Sequence, residues 1–239
     1  MYANNEIGNI YPIPQMAEMA KERGILFHTD AVQAAGKVDI DLSKVPVDML
    51  SISGHKIHCP KGIGMLYVRK GVLFRPFIRG GHQERGRRGG TENVPYIVGL
   101  GKACQMAKEG MADELTRVAA LRDKLEAGIL ARVPECKVNG DPAHRLPGTT
   151  NIAFRNIEGE AVLLMLDRLG ICASSGSACT SGSLESSHVL KAMNVPFKYA
   201  HSSTRFSLCR YNTEEEVDFA IENIPPVIKT LRDLSPFKD

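Results

Sequence analysis

The feature that most constrains the fold is a short apolar strand that ends in polar residues, at positions 48–56 (DMLSISGHK). Residues 49–53 are typical of a buried strand, and the glycine, histidine and lysine after them predict a turn. A helical pattern at 13–23 ends at Gly24, and an apolar strand is expected at 25–28, just before Asp30. Another strand is expected at 64–68. This alternation predicts an α/β sheet with Asp30 and Lys56 at the ends of strands.

A lysine and an aspartate at the ends of two buried strands suit a pyridoxal phosphate (PLP) site. There a lysine holds the cofactor aldehyde as a Schiff base, and an aspartate keeps the pyridinium nitrogen protonated. Lys56 and Asp30 are the candidates, with Gln33 as a hydrogen-bond donor to the cofactor phenolate. Each residue alone has a plainer interpretation, because lysines after strands are commonly exposed and an aspartate can cap a turn. His28 is expected to be a hydrogen-bonded core histidine.

Composition and charge indicate a globular protein and exclude several other classes. The 30 Lys and Arg and 27 Asp and Glu residues are interspersed and leave a formal charge of +3, so no nucleic-acid-binding surface is expected. The basic cluster at 85–88 (RGRR) could meet phosphate or RNA, but a solvated turn or an ion-pair site is the commoner outcome. No signal peptide is found, and the longest apolar run, 161–166, is too short to cross a bilayer.

The six cysteines lie far apart and include no C-x-x-C pair, which fits neither a disulfide framework nor a zinc site. We therefore expect a cytoplasmic protein with no metal. Cys179 differs from the others, because it lies in a loop of small polar residues at 174–183 (SSGSACTSGS). A thiol there is accessible and is a candidate nucleophile, although it is also compatible with an incidental thiol in a serine-rich linker. The other five cysteines are expected to be packing residues.

Beyond residue 110 the pattern predicts a change of domain. Helices are expected at 93–110, 112–131, 159–169 and 213–231, and strands at 150–154, 171–172 and 204–208. These elements predict an α+β region. Arg205 lies just inside the last strand, where its guanidinium could hold a substrate carboxylate by two hydrogen bonds. An ion pair between strands is an equally good interpretation of this arginine.

Seven motifs, in order and spacing, resemble the cysteine desulfurases of the NifS and IscS type over essentially the whole chain. They are 4–8 (NNEIG), 28–33 (HTDAVQ), 53–57 (SGHKI), 80–88 (GGHQERGRR), 90–93 (GTEN), 174–179 (SSGSAC) and 205–208 (RFSL). Residues 80–83 and 179–185 look closer to the NifS branch than to the IscS branch. The resemblance implies a fold-type-I PLP-dependent transferase. Residues 1–110 would be the C-terminal part of its large PLP-binding α/β domain, and 111–239 a small C-terminal α+β domain that carries the cysteine loop.

The resemblance also implies the roles of individual residues. Those matched to the cofactor are Lys56 (Schiff base), Asp30 (pyridine nitrogen), Gln33 (phenolate), Ser53 and His55 (phosphate), Thr91 (phosphate in the neighbouring subunit's site) and Asn5. Asn5 and Arg205 match the residues that hold the substrate carboxylate, and the implied catalytic residues are Lys56, His55 and Cys179, whose thiol receives sulfur. A homodimer would convert L-cysteine to L-alanine and pass the persulfide sulfur to an iron–sulfur scaffold or another acceptor protein.

One departure from the family pattern leaves alternatives open. Family members carry a considerable N-terminal region that this chain lacks, including a phosphate-binding turn and a histidine that stacks on the cofactor ring. The chain would then be a fragment, a truncated product or one half of a split enzyme. Besides a desulfurase, the interpretations are another PLP enzyme, such as an aminotransferase or a selenocysteine lyase, and an inactive fragment that only binds sulfur-transfer partners. The thiol of Cys179 argues against the aminotransferase.

Overall fold

A computed structural model of the chain describes residues 1–175 and 187–236. Cys179, the candidate nucleophile, lies outside the described residues. The chain has a mixed α/β fold that divides into two compact units. The first unit comprises Met1–Tyr2 and Tyr11–Met111, and the second comprises Ala3–Ile10 and Ala112–Asp239. In the part of the chain that the structure describes, no helix is long and apolar enough to cross a membrane.

The described residues form seven strands and nine α-helices. The strands are β1 (His28–Asp30), β2 (Met49–Ser53), β3 (Gly64–Val68), β4 (Cys136–Val138), β5 (Thr149–Phe154), β6 (Ser174–Ser175) and β7 (Thr204–Ser207). The helices are α1 (Ile13–Glu22), α2 (Gln83–Gly86), α3 (Val94–Glu109), α4 (Met111–Asp113), α5 (Ala119–Arg132), α6 (Gly159–Asp167), α7 (His188–Ala192), α8 (Phe197–Ala200) and α9 (Glu214–Leu234). A 3₁₀ turn spans Gly54–Ile57, and a π-helical turn spans Glu114–Val118.

The first unit is built on a three-stranded sheet in the order β1–β2–β3. Strands β1 and β2 are parallel, with Asp30 opposite Ser51, and β3 is antiparallel to β2, with Gly64 opposite Ser53. The strands predicted at 49–53 and 64–68 are confirmed at both ends. Because the parallel strands β1 and β2 end at the same edge of the sheet, Asp30 and the turn after Ser53 lie at that edge.

The strand predicted at 25–28 lies three residues later than expected. Ile25 and Leu26 are both 58% exposed, and β1 spans His28–Asp30. The Phe27 backbone N–H donates to the Asp48 carboxylate (2.8 Å), and the residue-by-residue pairing with β2 begins at His28. The prediction was wrong because an apolar run does not by itself specify where a partner strand begins.

A small apolar core supports the turn that follows β2. Leu100, Ala103 and Ala107 of α3 pack against Ile57 and Cys59. Helix α3 begins after Asn93, whose side-chain oxygen accepts the Tyr96 N–H (3.4 Å) as an N-terminal cap. Burial against α3 therefore holds the chain on the C-terminal side of Lys56.

The second unit has a four-stranded antiparallel sheet in the order β4–β5–β7–β6. Every residue of the central strand β5 is buried. Helix α9 starts with a capping box between Thr213 and Glu216, as a strong helix start requires. The core combines one face of this sheet with apolar positions of α5, α6 and α9. Its fully buried members are Val118, Ile129, Ile152, Phe154, Val162, Leu166, Ile224 and Ile228.

Four details of the second unit differ from the predicted elements. The helix expected at 112–131 is interrupted by the π-helical turn, and β4 was not predicted. Ile171 packs against the core instead of pairing in a strand, and the strand lies at Ser174–Ser175. The segment Ala3–Ile10 belongs to this unit and not to the one formed by its sequence neighbours, since Asn9 forms a β-bridge with Arg145.

Candidate active site

Three of the expected cofactor residues share one edge of the first unit's sheet. Asp30 is the last residue of β1, Ser53 is the last residue of β2, and Lys56 follows in the 3₁₀ turn. Asp30 lies opposite Ser51 in the parallel register, so Asp30, Ser51 and Ser53 project from the same face of the sheet. The structure thus brings together residues that the sequence separates.

The turn that carries Lys56 is closed by Gly54. The Gly54 N–H donates to the Ile63 carbonyl (2.9 Å), and the Gly54 carbonyl accepts the Cys59 N–H (3.0 Å). A Cβ on Gly54 would lie 3.0 Å from both the Cys59 Cβ and the Ile63 Cγ2. Glycine therefore allows this close approach. Lys56 is half-buried and His55 is exposed on the same turn.

Asp30 is the last residue of β1, and its side chain also caps the turn that follows. Its Oδ1 accepts the Val32 N–H (2.8 Å), and its carbonyl accepts the Tyr2 N–H (2.6 Å). A carboxylate can accept several more hydrogen bonds, so the capping bond leaves capacity for a ring N–H. Gln33 is half-buried three residues further on.

His28 is exposed, and its Nε2 lies 2.8 Å from the Ser51 Oγ. The expectation of a core histidine was wrong. His28 projects from the same face of the sheet as Asp30, and that face is open in the described chain.

The donor set at this edge fits PLP. Lys56 supplies an amine for an aldehyde, Asp30 supplies a carboxylate for a ring nitrogen, and Ser53 supplies a hydroxyl for a phosphate. The glycine-closed turn places Ser53, His55 and Lys56 within one short stretch of backbone. The fit rests on the chemistry of these groups and on their shared edge.

Thr91 lies in the exposed loop before α3, next to Gly90, whose φ of +103° favours glycine. The loop before it contains the basic cluster, in which Arg85, Arg87 and Arg88 are exposed. Arg87 lies 5.9 Å from the centre of the Phe74 ring, and Arg88 donates to the Gly89 carbonyl (2.6 Å). Among the described residues no ion pair involves these arginines.

The second unit brings together the two residues expected to hold a substrate carboxylate. The Arg205 Nη1 donates to the Asn5 carbonyl oxygen (2.6 Å), although the two residues are 200 positions apart. Arg205 is half-buried in β7, opposite Asn151 of β5 and Ser174 of β6. The sheet register therefore fixes the backbone of this arginine on both sides.

Sequence reasoning missed a buried carboxylate beside this pair. Glu6 is 4% exposed, and its Oε2 accepts a hydrogen bond from the Ser187 Oγ (2.5 Å). Ser187 also caps α7 through the Val189 N–H (3.1 Å). The available signal was a serine immediately before an apolar helical stretch, which is typical of an N-cap. Nothing in the sequence marks Glu6 as buried.

The described cysteines are free thiols, and most are packing residues as expected. Burial raises the pKa of the Cys104 thiol, with a further contribution from Cys59, and burial also raises the pKa of Cys136. A raised pKa lowers the thiolate fraction at neutral pH, so these two thiols are poor nucleophiles. The expectation was wrong for Cys172, which is exposed after α6.

Comparison with known proteins adds a consistent set of similarities. The family model described as aminotransferase class-V matches residues 1–219. The chain is 61% identical over 237 residues to the cysteine desulfurase NifS of Azotobacter vinelandii, covering 99% of this chain and 59% of that protein. It is 59% identical over 239 residues to a cysteine desulfurase of Trichormus azollae, covering all of this chain and 60% of that protein. The chain thus spans about three-fifths of the length of these relatives.

Solved structures show the same likeness. A structure described as a NifS-like protein superimposes with a TM-score of 0.88 at 40% identity, covering 97% of this chain and 60% of that one. A NifS-like protein from Rickettsia africae superimposes with a TM-score of 0.87 at 33% identity, covering 95% of this chain and 60% of that one. The likeness therefore extends over both compact units.

Proposed function

Since this chain belongs to the aminotransferase class-V family, we propose that it is a cysteine desulfurase polypeptide that converts L-cysteine to L-alanine and loads the sulfur onto Cys179. The observation that carries the proposal is the sheet register that places Asp30, Ser53 and Lys56 at one edge. The similarity to proteins named cysteine desulfurases selects this reaction among those of the family. It also supports a role in supplying sulfur for iron–sulfur cluster assembly.

The proposed cofactor is PLP, held by Lys56 at its aldehyde and by Asp30 at its ring nitrogen. Gln33 would donate to the phenolate oxygen, and Ser53 and His55 would bind the phosphate, with Thr91 serving the site of a second copy. We propose that Asn5 also contacts the cofactor. When bound, PLP supplies an electron sink that makes the substrate α-proton removable.

Residues of the chain carry out substrate binding, proton transfer and sulfur transfer. Arg205 binds the substrate carboxylate and Asn5 assists, while the free Lys56 amine takes the α-proton and returns it at the product stage. The Cys179 thiolate attacks the substrate sulfur, so an S–S bond forms as the substrate Cβ–S bond breaks. The electron pair of that broken bond stays with the carbon skeleton, which takes up a proton to become alanine.

We propose that the protein acts as a cytoplasmic homodimer that passes sulfur to an acceptor protein. The exposed apolar side chains of Leu73, Phe77 and Val98 support an association surface on the first unit, since large exposed apolar patches commonly mark one. The free thiols of the described cysteines support a reducing compartment. Sedimentation velocity of the purified chain would measure its oligomeric state, and a monomer at all concentrations would contradict the dimer.

The decisive experiment measures visible absorption with added PLP, and alanine and sulfide release from L-cysteine under reducing conditions. We expect Lys56→Ala to abolish both the absorption band of lysine-bound PLP and turnover. Cys179→Ala should keep the band and lose turnover, whereas Cys172→Ala, at a different cysteine whose side chain is exposed, should keep both.

Turnover that survives in Cys179→Ala would contradict the persulfide route. Absence of both the band and turnover in the unaltered chain would contradict desulfurase activity of these 239 residues. A fragment that only binds partners should lose nothing when Lys56 is replaced.

A further inference from the structure

The segment at Asn4–Gly8 is held over the sheet of the second unit by side chains from two adjacent strands. Asn151 of β5 and Arg205 of β7 lie opposite each other in the antiparallel register. The Asn151 Nδ2 donates to the Glu6 carbonyl (3.2 Å), and the Arg205 Nη1 donates to the Asn5 carbonyl (2.6 Å). Two consecutive carbonyls are thus bound by side chains of two adjacent strands, and this fixes the segment against the sheet.

The segment is also internally rigid. The Asn4 side-chain oxygen accepts the N–H groups of Glu6 (2.8 Å) and Ile7 (3.0 Å). Gly8 has a φ of +77°, and a Cβ there would lie 3.1 Å from the Thr149 side chain. The direction of the Glu6 side chain is therefore set by its own turn and by the sheet below.

The Glu6 carboxylate points to Ser187. A buried carboxylate is costly unless hydrogen-bond donors satisfy it. Within the described residues no cation lies within ion-pair distance of Glu6, so the Ser187 hydroxyl is a principal donor. Its Oγ–Oε2 distance of 2.5 Å is that of a charge-assisted hydrogen bond.

Ser187 is the first described residue after position 175, and the sequence places Cys179 between the two. On the N-terminal side, Ser174 pairs with Arg205 and Ser175 pairs with Thr204. On the C-terminal side, Glu6 binds Ser187 and Ile7 packs against Leu190 of α7. Both flanks of residues 176–186 are thus tied to the assembly that holds Asn5 and Arg205.

We propose that Glu6 is a positioning residue that couples the substrate-binding pair, Asn5 and Arg205, to the C-terminal flank of the segment carrying Cys179. The inference rests on the proposed function, in which Asn5 and Arg205 hold the substrate carboxylate and Cys179 receives the sulfur. The role assigned to Glu6 acts through its bond to Ser187 and requires no contact with the substrate or the sulfur. It sets where Ser187, and hence the end of the cysteine segment, is held.

The first test measures hydrogen–deuterium exchange by mass spectrometry on the full chain. Glu6→Ala should raise exchange of the peptide at 187–193 at least about tenfold, since the substitution removes the acceptor of the buried Ser187 hydroxyl. Exchange of β5 should not change. The substitution leaves the residue 6 carbonyl, which accepts the Asn151 Nδ2, and the packing of Ile7 against Leu190 in place. Glu6→Gln, which keeps an acceptor for the Ser187 hydroxyl, should restore protection to within about threefold of the unaltered chain.

The matched control is Glu114→Ala. Glu114 is also buried, at 2% exposure, and its Oε1 accepts the Arg210 N–H (3.2 Å), with no bond to Ser187 or Asn5. Its replacement should raise exchange near Arg210 and leave 187–193 unchanged. Equal exchange at 187–193 in Glu6→Ala and the unaltered chain would overturn the proposal.

The second test separates positioning from substrate binding with the PLP-loaded chain. Glu6→Ala should slow persulfide formation on Cys179 at least about tenfold in a single turnover, while the dissociation constant of L-alanine stays within about twofold. The effect should disappear in a Ser187→Ala background, because the two residues act through one bond. An unchanged rate, or an equal loss of L-alanine binding, would overturn the role of Glu6.

Failure of the proposed function gives a different result. An unaltered chain that forms no persulfide would refute the function, and the exchange measurement alone would then decide whether Glu6 holds Ser187.

Discussion

The two compact units differ in how completely each buries its own apolar residues. In the second unit, Phe154, Ile129 and Leu166 are fully buried in a core shared by a sheet and three helices. In the first unit the core around Ile57 and Leu100 is small, while Phe77 is 99% and Leu73 is 89% exposed. The second unit thus packs its sheet against a large apolar core, although Leu164 and Phe197 are exposed there too, whereas the core around Ile57 and Leu100 in the first unit is small.

The comparison separates two kinds of functional residue. Arg205 and Glu6 are held by the sheet register and by hydrogen bonds between segments far apart in the sequence, so their positions depend on long-range contacts. Lys56 and Asp30 lie in short turns at the edge of the first unit's sheet, and the packing beside Lys56 is the small core in which Ile57 contacts α3. Substitutions should therefore act differently in the two units.

The largest expected effect is the difference between two phenylalanine-to-alanine substitutions, one in each unit. Phe154→Ala should cost ~3–5 kcal/mol of the free energy of unfolding of the second unit, because Phe154 is fully buried. Phe77→Ala should change the first unit by less than about 0.5 kcal/mol, since its side chain is exposed. Hydrogen exchange of β5 and β2 peptides, at concentrations where the chain is monomeric, measures both. A cost above about 1 kcal/mol for Phe77→Ala would break the comparison.

The next effect concerns a glycine in the second unit. A Cβ on Gly148 would overlap the Leu208 carbonyl oxygen, which belongs to the chain just after β7, and would crowd Val118 at 3.3 Å. We expect Gly148→Ala to cost ~1–3 kcal/mol, because a filled core cannot shift to admit a methyl group. Exchange of the β5 and β7 peptides would report the loss. A neutral result would show that the second unit packs less tightly than its burial indicates.

The third prediction concerns acid stability of the second unit. Burial pushes the pKa of Glu126 up, but hydrogen bonds from Arg145 and Thr150 outweigh this and leave the pKa below its ordinary value of 4.5. Because the pKa of Glu126 is lower in the folded state, its ionised carboxylate stabilises the fold above about pH 4.5. This stabilisation is lost as the pH falls through the lowered pKa. Urea unfolding from pH 7 to pH 3 should therefore show stability falling at the acid end.

Glu126→Gln should flatten this acid dependence and cost ~1–2 kcal/mol at pH 7. The control in the first unit is Asp41, an exposed carboxylate whose pKa is lowered to about 2 by hydrogen bonds from Ser43. Asp41→Asn should leave the stability of the second unit unchanged at every pH. The same acid dependence in Glu126→Gln and the unaltered chain would rule out this carboxylate as its cause.

The smallest expected effect is a gain in the first unit. Gly101 lies in the interior of α3, and a Cβ there would meet no atom within 4 Å. Gly101→Ala should stabilise α3 by ~0.5–1 kcal/mol, because alanine has the higher helix propensity. Slower exchange of the α3 peptide would confirm it. Faster exchange would indicate that another surface approaches α3 at this position.

Much of the local structure was predictable because it depends on local patterns. The strands at β2 and β3 and the helices α1, α3 and α9 follow from apolar periodicity with glycine, asparagine or threonine at their ends. The strand expected at 25–28 was displaced, and β4 was missed, because a partner strand decides where pairing begins.

The sequence by itself determined the family, the expected cofactor residues and the position of Lys56, because these depend on short motifs whose order along the chain is sufficient. Only the tertiary structure decided that Asp30 and Ser53 share one edge, that Arg205 binds the Asn5 carbonyl, and that the segment Ala3–Ile10 belongs with the second unit. The burial of Glu6 against Ser187 belongs to this second group. The physical reason is that such contacts join residues up to 200 positions apart, and no local preference encodes them.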